Sequence, residues 1–246
     1  MIGKITKYNF LILLVSFQLL FFFSDFSLYA QTFFLDANGV TIKCTGCSDT
    51  DTGIVNGLTY KAYDNTSIDA KAISDTDWDR VVTTLVTDMS SLFENEGTFN
   101  QDISSWDTSN VTDMVAMFKQ ATAFDQPLNN WDVSNVHSMQ FSFRQTNFNQ
   151  PLDNWDVSNV ENMNEMFLQS DFNQPINNWD VSSVKKMYRL FRQSDFNQPL
   201  NNWDMSNVTD LGQMFYRNTQ FNQPLDNWDL SSATSISFIF ENCQLF

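Results

Sequence analysis

Apolar and polar positions repeat along the last two thirds of the chain with a period of 24 or 25 residues. In its clearest copies the block reads P-L-x-N-W-D-V-S-N-V-x-x-M-x-x-M-F, and F-N-Q follows five or six residues later. Successive copies are marked by Trp106, Trp131, Trp155, Trp179, Trp203 and Trp228. A fixed period of this length is typical of stacked supersecondary units, which bury their apolar faces against each other.

The first half of each block predicts a short parallel strand. Trp131 and Val133 lie two residues apart, so they share one side of an extended segment and point into the core. The intervening polar residues, Asn130, Asp132 and Ser134, then point outward. The tryptophans are therefore expected to be core residues and not a platform for stacking sugars.

The second half of each block predicts a short helix. Its apolar positions fall at i, i+3, i+6 and i+7, which is one face of a helix, as in Val111, Met114, Met117 and Phe118. Ser109 occupies the position where a helix N-cap is expected. The predicted fold class is therefore an α/β repeat solenoid that resembles leucine-rich repeats, with one short parallel strand and one short helix per repeat. Residues 86–246 would hold about six and a half repeats.

Residues 31–85 lack the repeat and predict a small β-rich N-terminal cap with a lead-in helix. Two β-prone runs, Thr32–Leu35 and Val40–Ile42, flank a turn-rich tetrapeptide. A second hairpin is predicted around Asn56–Gly57, because this dipeptide favours a two-residue turn. The lead-in helix is predicted over Asp69–Leu85. Such a cap would shield the core of the first repeat.

Residues 1–30 have the pattern of a secretory signal peptide. Lys4 and Lys7 precede an apolar run over Phe10–Phe23, and cleavage is expected after Ala30. The alternative is an N-terminal membrane anchor, although the run is short for a span of about 20 residues. After cleavage no segment is expected to cross a membrane, and the protein would be secreted or held at a bacterial cell surface.

Composition narrows the classes of partner. The formal net charge is −16, which keeps an exported protein soluble and repels nucleic acid and anionic lipid. Cys44 and Cys47 could close a local disulfide or remain idle thiols, whereas the zinc-ribbon alternative would need a second pair. The role of Cys243 stays open.

One polar column is the candidate site. Stacked strands would place its aspartates in an outward row about 5 Å apart, with neighbouring asparagines beside them: Asp107, Asp132, Asp156, Asp180, Asp204 and Asp229, with Asn130, Asn154, Asn178 and Asn202. The row could bind calcium or a basic protein, because oxygen-rich rows suit hard cations. In the structural alternative, each Asp accepts hydrogen bonds from backbone N–H groups at the turn into the helix.

The repeats resemble those of the BspA-type leucine-rich-repeat surface proteins of bacteria. The likeness is carried by whole blocks such as Phe99–Met114 and Phe148–Val160, and by the leading segment Leu35–Cys44. The resemblance implies a secreted or cell-surface protein, a leucine-rich-repeat-like solenoid and, for some members, adhesion to proteins of a host or neighbouring cell. It supplies no catalytic residues, and no wall-anchoring motif is seen.

These features predict a protein that binds an extracellular protein or glycan through an acidic strand face, with no cofactor, no metal site and no catalytic residues. The alternative is a structural spacer or surface-coat element without a dedicated ligand; a hydrolase is disfavoured. Every base of the array lies in a predicted helical half, and Lys185–Arg192 could form a minor contact patch. The last block ends without a polar closing unit, which fits self-association through this open end or an array that once continued.

Overall fold

The computed structural model describes residues 31–243, and the predicted signal peptide lies outside them. The first elements are two antiparallel strands, β1 (Thr32–Leu35) and β2 (Ile42–Thr45). The Oδ1 atom of Asn38 accepts hydrogen bonds from the backbone N–H groups of Val40 and Thr41, both at 2.9 Å. These bonds fix the turn; β1 coincides with the first β-prone run, whereas β2 begins only at Ile42, the last residue of the second run.

A three-stranded sheet follows. Strands β3 (Thr52–Val55) and β4 (Leu58–Ala62) form an antiparallel hairpin, and β5 (Val81–Val82) pairs with β4 in parallel. Asn56 and Gly57 have φ values of 50° and 79°, as a type I′ turn requires at both central positions. The hairpin predicted at this dipeptide is confirmed.

The predicted lead-in helix is wrong. Among residues 31–243 the one α-helix, α1 (Asn65–Asp69), ends at the residue where the predicted helix begins, and a 3₁₀ helix spans Trp78–Arg80. Asp64 caps α1 by accepting from the backbone N–H of Ser67 at 2.9 Å. The chain then becomes extended because Val81 and Val82 are β-branched and pair with β4.

The predicted fold class is also wrong. From residue 86 to residue 243 the chain contains no helix and no strand; it consists of tight turns and isolated parallel bridges. The described residues therefore show neither the α/β repeat pattern nor the leucine-rich-repeat-like solenoid predicted from the sequence. The strands and helices that are present, β1 to β5, α1 and the 3₁₀ helix, all lie before residue 86.

The second half of each repeat is not helical because its backbone N–H groups divide between two kinds of acceptor. Met163 and Glu165 donate to the carbonyls of Lys186 and Tyr188 in the next repeat, at 2.9 and 2.8 Å, whereas Met166 donates to the carbonyl of Met163, at 3.2 Å. An α-helix would send every N–H to the residue four positions back. Successive three-residue turns produce the same i, i+3 spacing of apolar residues, which is why the pattern predicted a helix.

Backbone dihedrals exclude a helix at the same place. Two residues per repeat, four positions apart, have left-handed φ values between 50° and 70°: Ser91 and Asn95, Ala116 and Gln120, Phe141 and Gln145, Glu165 and Gln169, Arg189 and Gln193, Gln213 and Arg217, Phe238 and Asn242. A residue without a favourable contact pays about 1–2 kcal/mol for this conformation. The hydrogen bonds between repeats offset that cost.

The first half of each repeat is not a strand. The parallel bridges between repeats lie in the second half, in one column: Asp88, Asp113, Ser138, Asn162, Lys186, Asp210 and Ser235. Around Trp131 and Val133 the chain instead makes turns, in which the N–H of Trp131 donates to the carbonyl of Leu128 at 3.0 Å. A column of paired residues therefore exists, but about six residues after the predicted one.

The core is built from aromatic columns that run through successive repeats. One phenylalanine column has ring centroids 5.4–5.8 Å apart: Phe93, Phe118, Phe143, Phe167, Phe191, Phe215 and Phe240. A second column has centroids 5.9–6.3 Å apart: Phe99, Phe124, Phe148, Phe172 and Phe196. Each repeat therefore completes the core of its neighbour.

The tryptophans are buried, as predicted. Their exposed fraction is 4% or less from Trp106 to Trp203, and Trp228 is partly buried. From Trp106 to Trp228, each indole Nε1–H also donates to a backbone carbonyl 27 or 28 residues earlier, at 2.9–3.2 Å. The indole thus fills the core and bonds its repeat to the preceding part of the chain.

Candidate functional site

Five of the six column aspartates are exposed, one in each successive repeat: Asp132, Asp156, Asp180, Asp204 and Asp229. In each of them Oδ1 accepts a hydrogen bond from the backbone N–H of the serine two residues later, at 2.9–3.1 Å. This is an Asx turn, in which a short carboxylate replaces a backbone acceptor. The carboxylates therefore shape the turn and face solvent at the same time.

The local sequence W-D-V-S explains this geometry. The apolar residues before and after each aspartate are buried, or partly buried around Asp229, so the aspartate faces outward and its side chain reaches forward to the serine. The predicted acceptance of a backbone N–H is therefore seen, but no helix follows and no helix dipole contributes.

Hydrogen bonds favour the charged form of two of these carboxylates, Asp204 and Asp229. The hydroxyl and the backbone N–H of Ser206 lower the pKa of Asp204. The backbone N–H and then the hydroxyl of Ser231 lower the pKa of Asp229. Both groups are therefore ionised at neutral pH.

Asp107 does not belong to the exposed row. It is 2% exposed, and its Oδ2 accepts from the hydroxyl of Thr84 at 2.7 Å while its Oδ1 accepts from the hydroxyl of Ser109 at 2.6 Å. The backbone N–H of Ile42 donates to the carbonyl of Ser105 at 2.8 Å, which attaches the β1–β2 hairpin to this repeat. Asp107 therefore has a structural environment that the other five lack.

A cavity of about 160 Å³ lies where the hairpin meets the row, and its lining includes Asp36, Lys43, Asp107, Asn130 and Asp132. The Lys43 ammonium lies 3.0 Å from the carboxylate of Asp36. This pairing raises the pKa of Lys43 and lowers that of Asp36. The cavity is thus polar and contains both signs of charge.

The predicted asparagines Asn130, Asn154, Asn178 and Asn202 are all exposed. Two of them take part in bonds between repeats through their backbone N–H groups: Asn154 donates to Oδ1 of Asn129 at 2.9 Å and Asn202 to Oδ1 of Asn177 at 3.0 Å. In these blocks the residue just before the predicted asparagine, Asn129 or Asn177, therefore supplies the acceptor for the following repeat. Sequence reasoning missed that role, although Asn or Asp recurs there.

The F-N-Q motif was also missed as a source of contacts between repeats. Oδ1 of Asn173 accepts from the backbone N–H of Asn197 at 2.9 Å and from the side-chain amide of Gln198 at 3.2 Å. Related bonds recur at Asn100, Asn149 and Asn197. The recurrence of Asn and Gln at fixed positions was the available signal.

The cysteines lie apart from the row. Cys44 and Cys47 are joined by a disulfide, with Cα atoms 6.0 Å apart. Cys243 is a free thiol whose Sγ lies 2.9 Å from the carbonyl oxygen of Phe215. Burial raises the pKa of Cys243, so this thiol is protonated at neutral pH.

Residues 31–243 contain neither a cluster of metal-ligating side chains nor a membrane-spanning helix. No group of three or more His, Cys, Asp or Glu side chains in this range is arranged to hold a metal ion. None of the helices in the same range is long and apolar enough to cross a bilayer.

Comparison with known proteins gave one match. A family model described as "Mycoplasma protein of unknown function, DUF285" matches residues 60–171 and 142–246, together well over half of the chain. No curated protein and no solved structure matches the chain. The two overlapping matches cover the repeats and residues 60–85 before them, and the chain belongs to the DUF285 family.

Proposed function

We propose that this is an exported, non-enzymatic protein that binds an extracellular protein or glycan through the acidic face formed by Asp132, Asp156, Asp180, Asp204 and Asp229. The observation that carries the proposal is the exposure of these carboxylates in five successive repeats. No lysine or arginine of the array lies between the tryptophan and the serine of any block. The face is therefore acidic along the repeats, with Lys43 of the hairpin near its Asp132 end, and it attracts groups that carry positive charge or hydrogen-bond donors.

The resemblance to BspA-type surface proteins supports the same proposal, since some of those proteins act in adhesion. The apolar run of residues 10–23 supports export. Localisation at a bacterial surface, or secretion, follows from these two features taken together.

A structural spacer without a dedicated ligand is the second candidate. The Asx turns favour it, because they give each aspartate a role in folding that needs no ligand. The two candidates predict different results when charge is removed and the turn is kept: a binding face loses affinity for its ligand, whereas a spacer has no affinity to lose.

The test exchanges aspartate for asparagine, which keeps the side-chain acceptor of the turn. The double variant Asp156→Asn/Asp180→Asn removes two charges from the face. The matched control, Asp171→Asn/Asp195→Asn, removes two exposed charges with the same 24-residue separation elsewhere in the repeat. Binding to printed arrays of glycans and of purified extracellular proteins is measured for all three proteins, with calcium and with a chelator.

The proposal predicts saturable binding of at least one array component by the unsubstituted chain, weakened at least about tenfold in the Asp156→Asn/Asp180→Asn variant. The control should bind within about threefold of the unsubstituted chain. Absence of any saturable component, or equal binding by the two variants, supports the spacer and contradicts the proposal.

A further inference from the structure

A cluster of arginines and tyrosines lies in the second halves of two consecutive repeats, away from the acidic face. We call Arg189, Arg192, Arg217, Tyr188 and Tyr216 the arginine patch. The guanidinium carbon of Arg189 lies 4.5 Å from the ring centroid of Tyr188. The guanidinium carbons of Arg192 and Arg217 lie 5.0 and 5.2 Å from the centroid of Tyr216. Two neighbouring repeats thus bring three cations together.

Two of the three arginines lack an acidic partner. Arg189 lies 3.4 Å from the carboxylate of Glu165. Within residues 31–243, no carboxylate oxygen lies within 4.0 Å of a guanidinium nitrogen of Arg192 or Arg217. Elsewhere on the same half of the repeat, Lys119 pairs with Glu94 at 2.7 Å. The chain carries 29 acids and 13 bases, so the unpaired arginines do not result from a shortage of acids.

The tyrosines hold the arginines in place. A guanidinium that stacks on an aromatic ring keeps its N–H edge free, and that edge matches a carboxylate with two parallel hydrogen bonds. The Nε–H of Arg192 is buried and has no hydrogen-bond partner among the described residues, so the stem of this side chain is packed. Tyr216 and this packing therefore orient the guanidinium before any ligand arrives, which lowers the entropic cost of binding.

We propose that the arginine patch binds a carboxylated polysaccharide, through ion pairs of Arg192 and Arg217 with sugar carboxylates. An extended acidic peptide fits less well, because it would gain main-chain bonds only from an unpaired backbone edge. At the patch the N–H groups of Arg189, Phe191 and Gln193 already donate to the next repeat, at 2.9–3.0 Å. A polysaccharide that binds through its carboxylates alone needs no unpaired backbone N–H group.

Charge density separates a polysaccharide from a nucleic acid. Nucleic-acid binding proteins typically neutralise about 6–10 closely spaced phosphates. The arginine patch offers three cations, on a chain whose formal net charge is −16. A polysaccharide with widely spaced carboxylates can bind the patch without bringing further negative charges close to the acidic protein. A nucleic acid carries densely spaced phosphates, which the protein repels.

The experiment measures binding of the full chain to immobilised polygalacturonate, with neutral dextran, poly-glutamate and single-stranded DNA as parallel probes. The test variant is Arg192→Gln/Arg217→Gln. The matched control is Lys185→Gln/Lys186→Gln, which removes the same charge from exposed side chains of the same half. Thermal unfolding of each variant shows whether it folds, and the single variant Arg217→Gln, at an exposed position, serves if the double variant does not.

The proposal predicts binding to polygalacturonate that weakens with salt and no binding to dextran. The Arg192→Gln/Arg217→Gln variant should bind at least about tenfold more weakly, the lysine control within about threefold. Tyr216→Leu should weaken binding by a smaller factor, because it removes the support of both arginines but not their charge. Absence of polygalacturonate binding, an equal loss in the lysine control, or equal or tighter binding to poly-glutamate or DNA would overturn the proposal.

Discussion

Residues 31–85 and residues 86–243 form their backbone hydrogen bonds in different ways. In the first region, hairpins pair residues that are close in sequence, as in Ile54 opposite Thr59. In the second region, many backbone N–H groups bond to a residue 23 to 25 positions away, as Met163 does to Lys186. The first region therefore contains regular strands stabilised locally, whereas each repeat takes its conformation from its neighbours. A repeat without helix or strand can therefore still pair many of its backbone groups through bonds to the neighbouring repeats.

The largest expected effect comes from removing an indole that joins two repeats. Trp155 is 4% exposed and donates to the carbonyl of Leu128 at 2.9 Å. Trp155→Ala should lower the free energy of unfolding by about 3–5 kcal/mol, measured by urea denaturation. Trp155→Phe keeps most of the apolar contact and should cost less. Both variants lose the indole N–H, so equal losses would contradict the role given to the packing of the ring in the core.

A smaller loss is expected from an asparagine that bridges repeats. Asn173→Ala removes the acceptor for the backbone N–H of Asn197 and should cost about 1–2 kcal/mol. Hydrogen exchange should accelerate at Asn197. The matched variant Asn38→Ala removes an acceptor inside the first hairpin and should accelerate exchange there alone. Acceleration confined to residue 173 and its sequence neighbours would show that this part of the array is held locally.

A substitution by glycine changes the free energy of unfolding in opposite directions in a helix and in a left-handed turn. Gln193 has a φ of 54°, so Gln193→Gly should leave the free energy of unfolding unchanged or raise it by up to about 1 kcal/mol. In a helix the same change would lower it by about 1 kcal/mol. Gly57→Ala, at φ 79° in the second hairpin, should lower it by about 1 kcal/mol. Urea denaturation of both variants makes the comparison.

The smallest expected effect is a pH dependence of the exposed row. The folded pKa of Asp204 lies below its ordinary value because of its bonds to Ser206. The stabilisation is therefore present above the unfolded pKa and is lost as pH falls through the lowered folded value. Asp204→Asn cannot titrate, so its stability should fall slightly less than that of the unsubstituted chain between pH 7 and pH 3. Denaturation at both pH values measures this, and a larger fall in the variant would contradict it.

The N-terminal hairpins could be predicted because their signals are local. Asn56–Gly57 favours one turn type regardless of the rest of the chain, and the structure contains that turn. The buried tryptophans could be predicted too, because an apolar residue that recurs once per repeat has a neighbour of the same kind in the core. The hairpin is thus indicated by a single dipeptide, and the burial of the tryptophans by their recurrence at the spacing of one repeat.

The helix and the strand of each repeat could not be predicted correctly, because hydrophobic spacing does not record where N–H groups bond. Ala116 and Gln120 are ordinary helix formers, yet both have left-handed φ values. Their N–H groups bond to the repeat 24 residues ahead, at 2.8 Å, and this tertiary contact overrides propensity. Of the six aspartates predicted to point outward, five face solvent, whereas Asp107 is buried next to Thr84 and the β1–β2 hairpin.

The central claim is that the second half of each repeat is held by hydrogen bonds to the next repeat and not by a helix. Scalar couplings across hydrogen bonds, measured by NMR on the labelled chain, test it directly at residues 160–169. The account predicts couplings from the nitrogens of Met163 and Glu165 to the carbonyl carbons of Lys186 and Tyr188, which lie across bonds of 2.9 and 2.8 Å. Couplings from each nitrogen to the carbonyl four residues earlier, with helical carbon shifts throughout this segment, would contradict it.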